Sequence, residues 1–142
     1  PNSLLLLIGE GDLMQEVNEK VISYNLQDYV RFLGVQSDVS YYLQAMDVFL
    51  FPSLYEGLPV TLIEAQAAGL KTIVSDKVSG ESNLTDLVAF VSLNETSKFW
   101  AEKVLKYKSG YSRANTSNII AAKGYDIKLN ALELQNFYLK NY

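Results

Sequence analysis

The stretch from Asp47 to Gly69, DVFLFPSLYEGLPVTLIEAQAAG, constrains the fold most. An apolar run, Asp47 to Phe51, reads as a strand because its β-branched and aromatic residues end in a Pro/Ser/Gly turn. Pro59 suits the first position of a helix, where its missing N–H is no loss, and Gly69 suits the residue just past the end. Leu62, Ile63, Ala65, Ala67 and Ala68 make that helix apolar over most of its circumference, so it is expected to be buried against a sheet.

A strand, a glycine turn and a helix start form a ready anion cradle. The backbone N–H groups of Gly57, Leu58, Val60 and Thr61 are expected to be unpaired, at the end of the helix that carries partial positive charge. The helix is expected to carry two carboxylates, Glu56 and Glu64, with seven residues between them. Both acids also have a plain structural reading. Glu56 can cap the helix electrostatically, and Glu64 can bond a backbone group at the core edge.

Apolar runs alternate with helical patterns along the rest of the chain. Strands are expected at Ser3–Ile8, Tyr29–Leu33, Asp47–Phe51, Lys71–Ser75 and Leu87–Leu93. Ser3–Ile8 (SLLLLI) has the continuous apolar character of a parallel strand covered on both faces. Strands separated by helices predict an α/β class protein, a doubly wound, Rossmann-like parallel sheet. The first helix is expected to start at Asp12 as N-cap, paired with Gln15, and to bury Leu13, Met14, Val17, Val21 and Tyr24. Ser37 or Asp38 should cap a short helix to Ala45, and Asn94 or Thr96 one that buries Trp100, Ala101, Val104 and Leu105. Trp100, a tempting sugar platform, reads as core packing at that spacing. A helix is expected over Ser112–Lys123, a break at Gly124, and a last helix capped by Asp126 with Ile127, Ala131, Leu134 and Tyr138 on one face.

Composition removes whole classes of chemistry. The chain has no cysteine and no histidine, so disulfides, zinc–thiolate sites, thiol catalysis and the Ser–His nucleophile are excluded. No Asp-x-Asp pair occurs and no metal site is expected. With 12 basic against 16 acidic residues the net charge is −4, which gives nucleic acid no electrostatic footprint. No apolar run approaches the roughly 20 residues of a membrane span. Chemistry is left to carboxylates, backbone dipoles and groups of the ligand. The 142 residues suit one domain, and Pro1 running directly into a strand suggests a piece of a longer chain.

The segment Phe51-Pro-Ser-Leu-Tyr-Glu56-Gly-Leu-Pro-Val-Thr-Leu-Ile-Glu64-Ala-Gln-Ala-Ala-Gly69 closely resembles the E-x(7)-E signature of retaining GT-B glycosyltransferases of family 4. Val30–Val39 and Lys123–Ile127 extend the likeness, the latter toward bacterial capsule and exopolysaccharide members. The resemblance implies the C-terminal, donor-binding half of such an enzyme over 1–142. It implies that Glu64 bonds the ribose of a nucleotide sugar and that Glu56 sits beside the donor sugar or its phosphates. Backbone groups of Gly57, Leu58, Pro59, Val60 and Thr61 would hold diphosphate and sugar. Gly9 and Gly11, a lone G-x-G after a strand, would border the nucleotide, and Val35 would meet the base through its backbone. Glu81 matches a commonly acidic position, though a solvated loop charge explains it equally well.

The implied activity is hexosyl transfer from a UDP- or GDP-linked donor, with no cofactor, to a saccharide or lipid-linked acceptor bound through a further N-terminal domain. The family's half-domain opens with one more strand, expected between those at Ser3 and Asp47, and a loop with Arg and Lys that neutralise the diphosphate. This chain is expected to begin after them and to be inactive alone. A cytoplasmic location follows for the implied enzyme, with peripheral association at the inner membrane face an option. Two other readings stay open: a nucleotide-binding module without transferase activity, and a GT-B sugar-nucleotide epimerase, which would lean on histidine.

Overall fold

A computed structural model describes residues 3–141, which fall into two compact units, Pro1–Val39 and Ser40–Tyr142. In the first, β1 (Leu5–Ile8) and β2 (Val30–Gly34) run parallel, Leu5 opposite Val30 and Ile8 opposite Gly34, with α1 (Met14–Ser23) between them in sequence. Among the described residues only Val21 and Val30 of this unit have buried apolar side chains. The helix begins one residue later than the sequence suggests. Asp12 is not its cap, since Met14 N–H donates to the Gly11 carbonyl at 3.0 Å and Leu13 precedes the helix with no side-chain cap. Gln15 donates along the helix to Glu19 at 3.0 Å instead of back to its start. Leu13, Val17 and Tyr24, expected in the core, are exposed.

The second unit starts with α2 (Ser40–Ala45) and contains a three-stranded parallel sheet, β3 (Val48–Phe51), β4 (Lys71–Ser75) and β5 (Val88–Val91), in the order β3-β4-β5. Phe51 lies opposite Val74, and Ser75 opposite Val91. The parallel α/β architecture is as expected, and the strands pair as a doublet, β1-β2, and a triplet, β3-β4-β5. The described residues supply no strand to join them.

The core of this unit forms where α3 (Val60–Ala67) packs on β4. Leu62, Val74 and Val78 are buried together, with Phe51 and Val88 against them. Helix α3 ends in a Schellman motif: Leu70 N–H donates to the Ala65 carbonyl at 3.0 Å and Gly69 N–H to Gln66 at 2.9 Å. Gly69 has φ +71°, and a Cβ there would lie 2.7 Å from the Ala114 carbonyl oxygen. Glycine is required twice over, for the left-handed backbone and for the close approach.

The close approach marks the largest departure from the expected elements. Residues 111–116 are not helical; α5 covers only Ser117–Ile120 and continues into a single π turn, Ala121–Tyr125, that breaks at Gly124 with φ +87°. The Tyr111 hydroxyl accepts from Lys71 N–H at 2.8 Å and donates to the Asp47 carbonyl at 2.9 Å. Arg113 donates to the Leu43 carbonyl, and Thr116 to the Gln66 carbonyl at 2.5 Å. These bonds to other elements outweigh the helical pattern of the segment.

Helix α4 (Ser97–Leu105) has the expected Thr96 cap, whose hydroxyl accepts from Phe99 N–H at 3.2 Å. It buries none of its side chains fully: Ala101 and Leu105 are exposed, while Trp100 is half-buried with its indole N–H on the Ser92 carbonyl at 3.1 Å. Asp126 caps α6 (Ile127–Asn141) as expected, accepting from Lys128 and Leu129 N–H. Ile127, Leu134 and Tyr138 on that helix are exposed.

Candidate functional site

In the second unit, the residues expected to hold a ligand follow the carboxyl end of β3. Phe51 ends the strand, Pro52 to Leu58 form a turn that is exposed except at the half-buried Ser53 and Glu56, and Pro59 is buried at the N-cap position of α3, one residue earlier than expected. Glu56 therefore stands on the turn and only Glu64 on the helix, a correction to the expectation that the helix carries both. Gly57, Leu58, Val60 and Thr61 are exposed. The Val60 N–H is not free, because it donates to the Leu58 carbonyl at 2.9 Å, and Pro59 has none. The N–H groups of Gly57, Leu58 and Thr61 have no partner among the described residues. The cradle is narrower than the sequence implies, three amides at the positive end of an eight-residue helix.

Glu64 is exposed and bonds no described residue, so it is not locked to an internal partner. The buried face of α3 is Leu62, Ile63, Ala65 and Gln66, which leaves Glu64 on the face of Val60 and Thr61, one turn before it. Side chains on a helix lean toward its N-terminus, so the carboxylate leans toward the free amides. Glu56 is half-buried, and its Oε1 accepts from the Ser53 hydroxyl at 2.6 Å.

The loop after β4 leaves the same edge of the sheet, since β3 and β4 are parallel neighbours. It is anchored twice. Val78 is buried against Leu62, and Gln66, fully buried, reaches out of α3 to the far end of the loop. Gln66 Nε2 donates to the Ser82 carbonyl at 2.8 Å, while its Oε1 accepts from Leu84 N–H, Thr85 N–H and the Thr85 hydroxyl at 2.9 to 3.1 Å. Between the anchors, Ser79 caps a single 3₁₀ turn, Gly80–Ser82, that holds Glu81 exposed.

In the first unit, Gly9 and Gly11 follow the carboxyl end of β1. Gly9 takes φ +124° and donates to the Gly34 carbonyl at 2.8 Å, which sets it beside the end of β2, where Val35 is exposed. Both glycines line a cavity of about 280 Å³ whose other walls include Leu7, Ile8, Leu13 and Met14. Among the described residues no group of three or more acidic side chains is placed to hold a metal ion.

Two contributors escaped the sequence reading. Ser53 lies three residues before Glu56, a turn spacing that favours side-chain bonding and was the available signal. Gln66 had none, because its partners lie 16 to 19 residues away.

Relatives and structures agree on the type of protein. EpsF of Bacillus subtilis (strain 168) is 38% identical over 137 residues, covering 94% of this chain and 36% of that protein. The Escherichia coli UDP-Gal:alpha-D-GlcNAc-diphosphoundecaprenol alpha-1,3-galactosyltransferase is 29% identical over 152 residues, 98% of this chain and 37% of that enzyme. The chain thus spans little more than a third of the length of these curated relatives. Anabaena Alr3699/HepE in complex with UDP-glucose superposes with a TM-score of 0.76 at 18% identity, over 99% of this chain and 42% of that one. Sucrose-phosphate synthase from Thermosynechococcus elongatus gives 0.76 at 24% identity, over 96% and 38%. Such likenesses establish the fold, that of the C-terminal half of GT-B glycosyltransferases. The family model described as glycosyl transferases group 1 matches residues 1–124, and the chain belongs to that family.

Proposed function

We propose that this chain binds the nucleotide-sugar donor in a glycosyltransferase that moves a hexosyl group, with retention of configuration, to a saccharide or lipid-linked acceptor. The observation that carries the reading is the exposed Glu64 carboxylate on the same helix face as the free Thr61 amide, with Glu56 and the free amides of Gly57 and Leu58 on the turn before it. Glu64 accepts two hydrogen bonds from the ribose hydroxyls, and the amides of Gly57, Leu58 and Thr61 receive the diphosphate. Pro59 fixes the entry to the helix, and Val60 packs alongside the donor. Glu56 positions the sugar through its hydroxyls.

In the transfer step the acceptor oxygen bonds to the anomeric carbon and the bond from that carbon to the diphosphate oxygen breaks. The electron pair stays on the diphosphate, which takes up the acceptor proton. Charge grows on the diphosphate as it leaves, and fixed amide dipoles stabilise that charge without having to reorient. The relatives' names support the reading: the Escherichia coli enzyme is a UDP-galactose transferase acting on a diphosphoundecaprenol-linked sugar.

Calorimetry of the full-length protein with UDP, GDP, UDP-glucose and GDP-mannose tests the assignment. Glu64→Ala should weaken the preferred nucleotide about ten- to a hundredfold, as the loss of two charge-assisted bonds requires. Equal affinity in both proteins removes Glu64 from the ribose. Tight nucleotide binding with no transfer to any saccharide or lipid-linked acceptor would favour a binding module instead.

A further inference from the structure

The hydrogen bond between Ser53 and Glu56 has a role beyond shaping the turn. We propose that Ser53 is a positioning residue, whose hydroxyl holds the Glu56 carboxylate in the orientation that receives the donor sugar. This rests on the donor-binding reading of Glu56 given above.

The geometry carries the argument. The Ser53 hydroxyl has one proton and two acceptors within reach, Glu56 Oε1 at 2.6 Å and the Tyr55 carbonyl at 3.1 Å. The shorter contact ends on a carboxylate, and a charge-assisted bond is about twice as strong as a neutral one, so the proton goes to Glu56. No other described group bonds that carboxylate. Its neighbours on the turn do not pack it either, since Leu54 is 80% and Tyr55 83% exposed.

Without Ser53, the half-buried Glu56 would have no hydrogen bond to fix its carboxylate, and more of its rotamer freedom would be lost only when the sugar bound. With Ser53 in place that loss is met in advance, while Oε2 and the second lone pair of Oε1 stay open to sugar hydroxyls. Pro52 adds to this by fixing the backbone just before Ser53. The ligand that gains is the nucleotide sugar; the bare nucleotide diphosphate, which lacks those hydroxyls, gains nothing.

The test is a double-mutant cycle in the full-length protein, with calorimetric binding of UDP, GDP, UDP-glucose and GDP-mannose to wild type, Ser53→Ala, Ser53→Thr, Glu56→Ala and Ser53→Ala/Glu56→Ala. Ser53→Ala should weaken the preferred nucleotide sugar about tenfold and leave the matching diphosphate within twofold. The diphosphate affinity also shows, in the same sample, that the variant is folded. Ser53→Thr, which keeps the hydroxyl, should stay within about threefold. In the Glu56→Ala background the Ser53 change should cost nothing further, because a residue that acts through another has no effect once that other is gone. Equal cost in both backgrounds would make Ser53 a purely structural turn residue and overturn the proposal. Wild-type affinity in Ser53→Ala, with Glu56→Ala impaired, would overturn it and leave the role of Glu56 standing. Wild-type affinity in Glu56→Ala, or no nucleotide sugar bound by the wild type, would overturn both.

Discussion

Strands β1 and β4 differ in the opposite sense to their compositions. The segment containing β1, Ser3–Ile8, is wholly apolar after its first residue, yet Leu4 and Leu5 are exposed and the rest of the strand is half-buried. Strand β4, Lys71-Thr-Ile-Val-Ser75, is buried from Thr72 onward. Apolar composition records how well a strand suits an interior; cover is supplied by neighbours. Strand β4 has paired strands on both sides, α3 across its face and Val78 at its tip. Its polar side chains are also accommodated: the Thr72 hydroxyl donates to the Leu87 carbonyl at 3.3 Å, and Ser75 Oγ accepts from Lys77 N–H at 3.0 Å. Among the described residues no buried side-chain polar atom lacks a partner. The interior of the second unit thus combines matched polar groups with apolar area, and among the described residues the first unit buries little of either.

The sharpest way to break this contrast is to remove Gln66. Replacing it with leucine keeps roughly the volume but strands the Ser82 carbonyl, the Leu84 and Thr85 N–H groups and the proton of the Thr85 hydroxyl. Each buried group left unpaired costs about 1–3 kcal/mol, so Gln66→Leu should cost about 3–6 kcal/mol after partial relaxation, read as the urea midpoint of the full-length protein. A loss below about 1 kcal/mol would mean that water replaces the amide and that polar matching contributes little to the second unit.

Gln66 also marks the boundary of what the sequence discloses. Strand β4, the Thr96 and Asp126 caps and the Gly69 stop follow from local chemistry, and the turn after β3 follows from its Pro, Ser and Gly. Residues 111–116 do not. Their fate depends on bonds from Tyr111, Arg113 and Thr116 to partners 40 to 70 positions away, which no local pattern reveals. Asp12 has the side chain of a cap, but the turn through Gly11 moves the start of α1 past it. For the candidate site, E-x(7)-E indicated where to look. That Val60 N–H is occupied, and that Ser53 holds Glu56, depend on how the turn closes on itself.

Two glycines give a comparison of intermediate size. Gly69 and Gly34 both take the left-handed backbone, at φ +71° and +62°, but only Gly69 faces a neighbour where a Cβ would go. Gly34→Ala should cost about 1 kcal/mol, the backbone term alone. Gly69→Ala adds a contact 2.7 Å from the Ala114 carbonyl and should cost about 2–4 kcal/mol, or shift 111–116 away from α3. Equal costs, measured by urea unfolding, would show that the approach of 111–116 to α3 is loose and that the second unit is not tightly packed there.

The smallest effect belongs to the Glu16–Lys20 pair on α1, with Nζ and Oε1 2.7 Å apart and both side chains largely in solvent. The hydrogen bond and charge of Lys20 hold the Glu16 carboxyl below its ordinary value, and Glu16 in turn raises Lys20. A lowered carboxyl contributes stability that is present above its unfolded pKa and fades as pH falls through the folded one; a raised lysine contributes below its unfolded pKa and loses that as pH rises through the folded one. Any effect of Lys20→Ala on the thermal midpoint should therefore be level between the acid and alkaline limbs, vanish in strong acid, and shrink with salt, because exposed charges are screened. At neutral pH it should fall well short of the Gly34→Ala shift. A Lys20→Ala shift as large as that of Gly69→Ala would mean that a solvent-facing ion pair holds the first unit as firmly as close packing holds the second, and the contrast between them would fail.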